Sequence, residues 1–261
     1  MKFLAWFSCG VTSAVACKLA VDRFGDAVEL VYIETGQAHP DNQRFIKQCE
    51  QWIGKEVKTI RSDKFNNPLE VAQKYLFNTP SGSPCTLHLK KKVRQEYQKQ
   101  FNDVVHVFGF EYNKKEVNRA FRWLEQQCED AYFPLIENRL TKRDCTKILQ
   151  RAGIGIPEMY KMGYHNNNCI GCFKGGMGYW NKIRVDFPEI FEKTAKLERE
   201  KQSTCLKKYG KRLYLDELDP QAGRHTDFDF PDCGLFCNLE LEGLRVFEIE
   251  EVMDKLTFKG E

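Results

Sequence analysis

Two groups of residues in this 261-residue chain have types and spacings suited to chemistry. The first is Ser8-Cys9-Gly10-Val11-Thr12-Ser13, which follows the apolar run KFLAWF and leads into a helical pattern. Small residues at such a turn let backbone N–H groups approach an anion, and a helix start adds unpaired donors and the positive end of its dipole. The hydroxyls of Ser8, Thr12 and Ser13 add donors, and Thr12 or Ser13 could touch a phosphate-bound magnesium (Mg). Cys9 is read as a small residue in this turn. The stretch is neither the dinucleotide fingerprint nor the lysine-containing phosphate loop. Thr35 and Gly36 end a second apolar run, AVELVYIETG, and in a doubly wound sheet that end lies beside the first loop, forming one crevice.

The second group is the cysteines. Cys169-Ile-Gly-Cys172 is a C-x-x-C pair, of the kind that clamps zinc or an iron–sulfur cluster or runs dithiol redox chemistry. Two thiolates alone hold neither metal, so partners must come from elsewhere. Cys233 and Cys237, in CGLFC, are candidates to complete a metal site. Cys17, Cys49, Cys128 and Cys145 fall on helical patterns and are expected in the core, while Cys205 receives no role. Lys90, Lys91, Lys92 and Arg94 cannot all face one site at helical spacing and read mainly as a solvated face. Arg119 could clamp a phosphate bidentately. The five histidines are scattered without a triad, and His39 reads as a helix cap or surface group.

The elements that must position these groups alternate. Residues 2–8, 28–35, 56–62, 104–111 and 131–137 read as strands, and 13–24, 39–53, 68–76 and 141–149 as helices. Gly25 stops the first helix, and Thr141 with Asp144 caps the last. Alternating short apolar strands and helices predict an α/β fold with a doubly wound, mostly parallel sheet, whose ligands sit at the carboxyl ends of the strands. Residues 1–155 form this nucleotide-binding α/β domain. Residues 156–261 carry a Gly/Asn/Cys-rich functional loop (156–180), a helix over 182–208 and a Cys-rich C-terminal segment packed on the domain.

The opening residues also admit a signal-peptide reading, with Lys2, an apolar run and AVA before Cys17. The unbroken strand–helix–strand pattern weighs against it. At 42% hydrophobic and 30% charged residues the chain can bury a sizeable core, and no apolar stretch reaches the roughly 18 residues of a membrane span. An odd count of 11 cysteines in a long chain fits free thiols or metal ligands in a reducing cytoplasm better than a disulfide framework. A net charge of +3 gives no sign of nucleic acid as a partner, without excluding it as an acceptor.

SCGVTSAVACKLA followed by VYIETGQAHPDNQRFIKQCEQWIG resembles the phosphoadenosine-phosphosulfate reductase family of the adenine nucleotide alpha-hydrolase (PP-loop) superfamily. FPLIENRLTKRDCTKIL, GIPEMYKMGY and DCGLF, at 232–236, are similar to later segments of that family, so the resemblance covers roughly residues 3–237. It implies an adenine nucleotide or sulfonucleotide as ligand and a thioredoxin-like reductant as partner. It also implies Lys90 facing the nucleotide and Cys233 as a nucleophile that attacks the sulfur of a sulfonucleotide. In family members that use adenosine phosphosulfate, a cysteine pair and a later C-x-x-C hold a [4Fe–4S] cluster. Cys85, Cys169 and Cys172 match three of those four ligands, with zinc as the alternative metal. Pro84 stands where the fourth would be, leaving Cys233, Cys237 or a non-protein group. Glu111 and Tyr112 stand where the reductases usually carry arginines. Sulfonucleotide reduction is therefore the leading expectation. The alternatives are an ATP pyrophosphatase-type thiolation enzyme, against which Thr12 counts in place of a usual aspartate, and a non-catalytic nucleotide or iron–sulfur sensor.

Overall fold

The computed structural model describes residues 1–79, 82–127, 130–224, 253 and 255–258. β1 (Lys2–Trp6) leads through the 7–10 turn into α1 (Val11–Phe24), then β2 (Val28–Glu34), α2 (Asn42–Ile53) and β3 (Val57–Arg61). After α3 (Pro68–Lys74), α4 (Pro84–Thr86) passes through a π-helical turn (Leu87–Lys91) into α5 (Lys92–Gln98). β4 (Val104–Val107), α6 (Lys114–Gln127), β5 (Ala131–Tyr132), α7 (Pro134–Glu137) and α8 (Lys142–Arg151) complete the α/β part.

The strands form a parallel sheet in the order β3-β2-β1-β4-β5, the doubly wound arrangement expected from the alternation. The chain winds outward from β1 to β3, then crosses to β4 on the other side of β1, so the switch point lies between β1 and β4. β1, β2 and β4 are covered on both faces, which is why they read as apolar runs, whereas the edge strand β3 is largely exposed. α1, α2 and α8 bury one face around Phe7, Phe45 and Leu149, and α6 buries the other around Trp123 and Phe133. Cys17, Cys49 and Cys145 lie fully within the first of these cores, as expected of small apolar thiols. Burial pushes the Cys49 and Cys145 thiols up to about 12, so they stay protonated and inert.

The second part, α9 (Glu158–Lys161), α10 (Met177–Asp186), α11 (Pro188–Lys201), β6 (Leu206–Lys208) and β7 (Lys211–Leu213), has a core of its own around Phe77, Phe173 and Trp180. Several boundaries differ from those expected. Residues 131–137 give only a two-residue strand, because Pro134 starts α7. The 104–111 strand stops at Val107. The helix expected over 182–208 is broken at Pro188 and followed by the β6–β7 hairpin, whose turn has Tyr209 at φ 51° and Gly210 at φ 76°. Positive φ at both turn residues is the pattern that matches a hairpin's twist. Among the described residues no helix is long and apolar enough to cross a membrane.

Candidate functional site

A cavity of about 180 Å³ opens at the carboxyl ends of β1, β2 and β4, at the switch point. One wall is the loop after β1. Ser13 Oγ accepts from the backbone N–H groups of Ser8 (3.1 Å) and Gly10 (3.2 Å) and donates to Gly10 O (2.9 Å). Thus the Ser13 hydroxyl staples the loop, and the first-turn N–H groups of α1 are left to face a ligand. The first turn of α1 carries no acidic residue, in keeping with an anion there. Cys9 adopts φ 58° and is fully buried, and burial holds its thiol well above its usual range, with Cys49 adding to the effect. Ser8, Gly10, Thr12, Ser13 and Thr35 line the cavity. Cys9 and Gly36 do not, and act through the backbone.

Two glycines allow this packing. A Cβ on Gly109, just after β4, would lie 2.7 Å from Ser13 Cα, so only glycine lets β4 approach α1 so closely. Gly36 has φ 73°, and a Cβ there would lie 1.8 Å from Asn66 O.

The loop carrying Cys169 runs along the cavity. Asn167 Nδ2 donates to Cys9 O (2.8 Å) and to Asn42 Oδ1 (2.7 Å), tying this loop to the first one. The Cys169 thiol lies 3.0 Å from Thr35 Oγ1, at the cavity wall. Gln37 exchanges hydrogen bonds with the backbone of Ile170. Tyr179 OH accepts from Cys172 N (2.9 Å) and donates to Cys169 O (3.2 Å), so one phenol fixes both ends of the C-x-x-C.

The basic residues separate as helical spacing requires. Lys90 lines the cavity, while Arg94 is buried with Nη1 3.4 Å from His106 Nε2. The π turn, closed by Lys92 N on Leu87 O, sits between them; such turns re-aim side chains and recur at functional sites. Arg119 does not line the cavity. It lies behind the wall, paired with Glu116 (3.0 Å) and with its guanidinium 4.5 Å from the Phe110 ring centroid. Two lining cations were not singled out in the sequence, Lys115 and Lys142. Lys142 Nζ reaches Asn166 Oδ1 (2.7 Å) and His165 O and lies over Tyr160, while its backbone N–H donates to Glu111 Oε2 (2.7 Å). Its position at the start of α8, straight after the Thr141 cap, was the available signal. His39 Nδ1 accepts from the backbone N–H of Asp41 (3.2 Å), the residue at the N-cap of α2, rather than from a first-turn N–H of the helix.

Of the expected metal ligands, Cys85 and Cys172 belong to the second part's core, whereas Cys169 faces the cavity. Cys205, which received no role, packs in the same core. Burial pushes its thiol well up, and Glu198 and Cys85 add to the shift. Asn78 draws these segments together: Nδ2 donates to Phe173 O (3.1 Å) and Cys205 O (3.4 Å), and Oδ1 accepts from Ser83 Oγ, two residues before Cys85. Among the described residues no three His, Cys, Asp or Glu side chains gather as metal ligands. Cys233 and Cys237 lie outside the described residues, as does Cys128.

A family model described as the phosphoadenosine phosphosulfate reductase domain matches residues 2–175. Among curated proteins, an uncharacterized protein of Methanocaldococcus jannaschii is 23% identical over 200 residues, a match that covers 74% of this chain and 41% of that protein. The chain therefore spans well under half the length of the curated relative it matches. Among solved structures, a phosphoadenylyl-sulfate (PAPS) reductase from Candida auris, in a phosphate complex, aligns with a TM-score of 0.48 and 14% identity. That alignment covers 65% of this chain and 81% of the other.

Proposed function

Because the chain belongs to the phosphoadenosine phosphosulfate reductase family, we propose that it binds an adenine nucleotide in the β1–β4 crevice and performs sulfur chemistry on it. The reaction favoured is reduction of a sulfonucleotide to sulfite and nucleotide. The observation that carries this reading is the pairing in one cavity of a stapled phosphate loop, Ser8 to Ser13, with a thiol-bearing loop held across it by Asn167. Phosphates meet the first-turn N–H groups of α1, with Lys90, Lys115 and Lys142 supplying charge around them. In the reaction the Cys233 thiolate attacks the sulfonate sulfur, the bond from sulfur to the nucleotide oxygen breaks, and the nucleotide leaves with that oxygen. A dithiol reductant, a thioredoxin-like protein or dithiothreitol, then supplies two electrons, releases sulfite and restores the thiol. Sulfite release from adenylyl-sulfate or its 3′-phosphorylated form tests this. Cys233→Ser should abolish release while calorimetry still detects nucleotide binding.

A second reading keeps the crevice and changes the reaction to cleavage of ATP with sulfur transfer to an acceptor. The observation favouring it is Glu111, a carboxylate that lines the cavity where the resemblance leads one to expect arginine and that could hold the magnesium of a bound ATP. Pyrophosphate release from ATP without sulfite release would select it, and nucleotide binding without either product would leave a sensor.

A [4Fe–4S] cluster, or zinc, on Cys85, Cys169, Cys172 and Cys237 fits the donor chemistry but not the arrangement of the described residues, where Cys169 turns to Thr35. Metal analysis of protein purified without oxygen decides the matter: about four irons and four sulfides per chain support the cluster, about one zinc a structural site, and no metal removes the group.

A further inference from the structure

The π turn that brings Lys90 to the crevice carries His88 onto a different surface. There the His88 ring stacks on Tyr75, with centroids 4.6 Å apart and planes within 16°. Phe65 closes the group edge-on, 5.3 Å from His88. Tyr75 is 38% exposed, and its neighbours Leu76 and Leu87 are also exposed, whereas few other large apolar side chains among the described residues face solvent. Lys74 Nζ lies 5.8 Å from the Phe65 ring centroid and 6.0 Å from that of Tyr75. Lys64 and Lys92 flank the same rings. After burial, the charges of Lys92, Lys74 and Lys64 are what hold His88 below its usual titration range.

These three lysines differ from many others on the surface. Lys18, Lys99 and Lys161 each have a carboxylate partner. Lys64, Lys74 and Lys92 have no ion pair among the described residues. The nearby Glu70 carboxylate is taken up by Asn66 and Asn67. Asp63, beside Lys64, is the other acidic group in that stretch of chain. Uncompensated cations around partly exposed, stacked rings complement a ligand that alternates flat apolar faces with anionic groups. An acidic peptide would use the lysines and leave the rings in water. A duplex would offer phosphates but hide its base faces.

We propose that Phe65, Tyr75 and His88, with Lys64, Lys74 and Lys92, form a docking surface for single-stranded nucleic acid. A base stacks on the Tyr75–His88 pair, and the flanking phosphates meet the lysines. None of the six lines the nucleotide crevice. The surface therefore stands independently of the reaction performed there, although His88 and Lys90 share one turn.

The test is fluorescence anisotropy of a 5′-fluorescein oligothymidylate of about 12 nucleotides, titrated with the full chain at several salt concentrations. Three phosphate contacts give a slope of log K against log salt near −2, from about −0.7 per contact. Replacing all three lysines by Gln should bring that slope to near zero. Tyr75→Ala should weaken binding about tenfold and Tyr75→Phe restore it, because the stack and not the hydroxyl is needed. Calorimetry of nucleotide binding to the same variants should change less than about twofold, which also reports that they are folded. The proposal is overturned by the absence of binding at about 50 mM salt, by equal affinity for the duplex, or by unchanged, wild-type affinity in the Tyr75→Ala and lysine variants. Binding to phosphatidylserine vesicles that these variants lose, with no oligonucleotide binding, would overturn it in favour of a membrane surface.

Discussion

The crevice and the cysteine-bearing second part are built by different means. In the crevice, backbone regularity does the positioning: parallel pairing brings the carboxyl ends of β1, β2 and β4 to one edge of the sheet, and α1 starts just after β1 stops. In the second part, single polar side chains do it. Asn78 ties three segments, Tyr179 spans the C-x-x-C, and Glu198 receives the N–H groups of Cys205 and Leu215. The first design tolerates most side-chain changes but not a backbone displacement. The second depends on a few atoms.

The largest expected effect is at Gly109. Gly109→Ala sets a methyl group against Ser13 Cα and N, which cannot yield without moving α1. A cost of about 3 kcal/mol and loss of most nucleotide binding are expected, read by urea melts and calorimetry. Normal affinity in this variant would mean that the nucleotide does not bind at the loop.

Next is the pH response of the second part. Burial raises the Glu198 carboxyl to about 7, with the Cys205 and Leu215 N–H groups partly opposing the shift. The raised value favours the folded state while the group is protonated. That contribution is fully present below the unfolded carboxyl range and is lost as pH rises to about 7, a change on the order of 2 to 3 kcal/mol. Melting temperatures at pH 5 and 8 should show it, and Glu198→Gln should flatten the profile while losing one accepted N–H bond.

Asn78→Ala should cost about 2 kcal/mol through its lost bonds. Hydrogen exchange should quicken around residues 83–86, 172–175 and 204–206, with nucleotide affinity unchanged within about twofold. If affinity fell in step with stability, the two regions would behave as one unit.

Ser13→Ala is the smallest perturbation, about 1 kcal/mol of stability. It should nonetheless lower nucleotide affinity about tenfold, because the staple orders the loop before the ligand arrives.

The same contrast explains what could be read from the sequence. Strands buried on both faces announce themselves as apolar runs, so the sheet, its helices and the loop after β1 were legible, as were the Thr141/Asp144 cap and the Gly25 stop. Arg119 pairs with Glu116 instead of lining the cavity, and whether a buried guanidinium faces a ligand or a glutamate three residues away is decided by rotamers and packing, not by spacing. Nothing in its neighbours marks Asn78 as a hub, since its three partners are 5, 95 and 127 residues away in sequence. The β6–β7 hairpin is signalled by Tyr209-Gly210, but the helix expected over 182–208 runs across its first strand.

Parallel pairing between β1 and β4 has a consequence for the order in which this molecule is assembled on the ribosome. Lys2 pairs with Val104, so one edge of the first strand has no partner until more than a hundred residues have been synthesised. Asn167, which clasps Cys9, emerges later still. At about 5–20 residues per second, β1 waits for several seconds with an unsatisfied edge. During that interval nucleotide can give no protection, because its walls have not met. Chaperone demand should therefore be set by the time to reach β4, and slowing translation ahead of that strand should cost more soluble protein than slowing it afterwards.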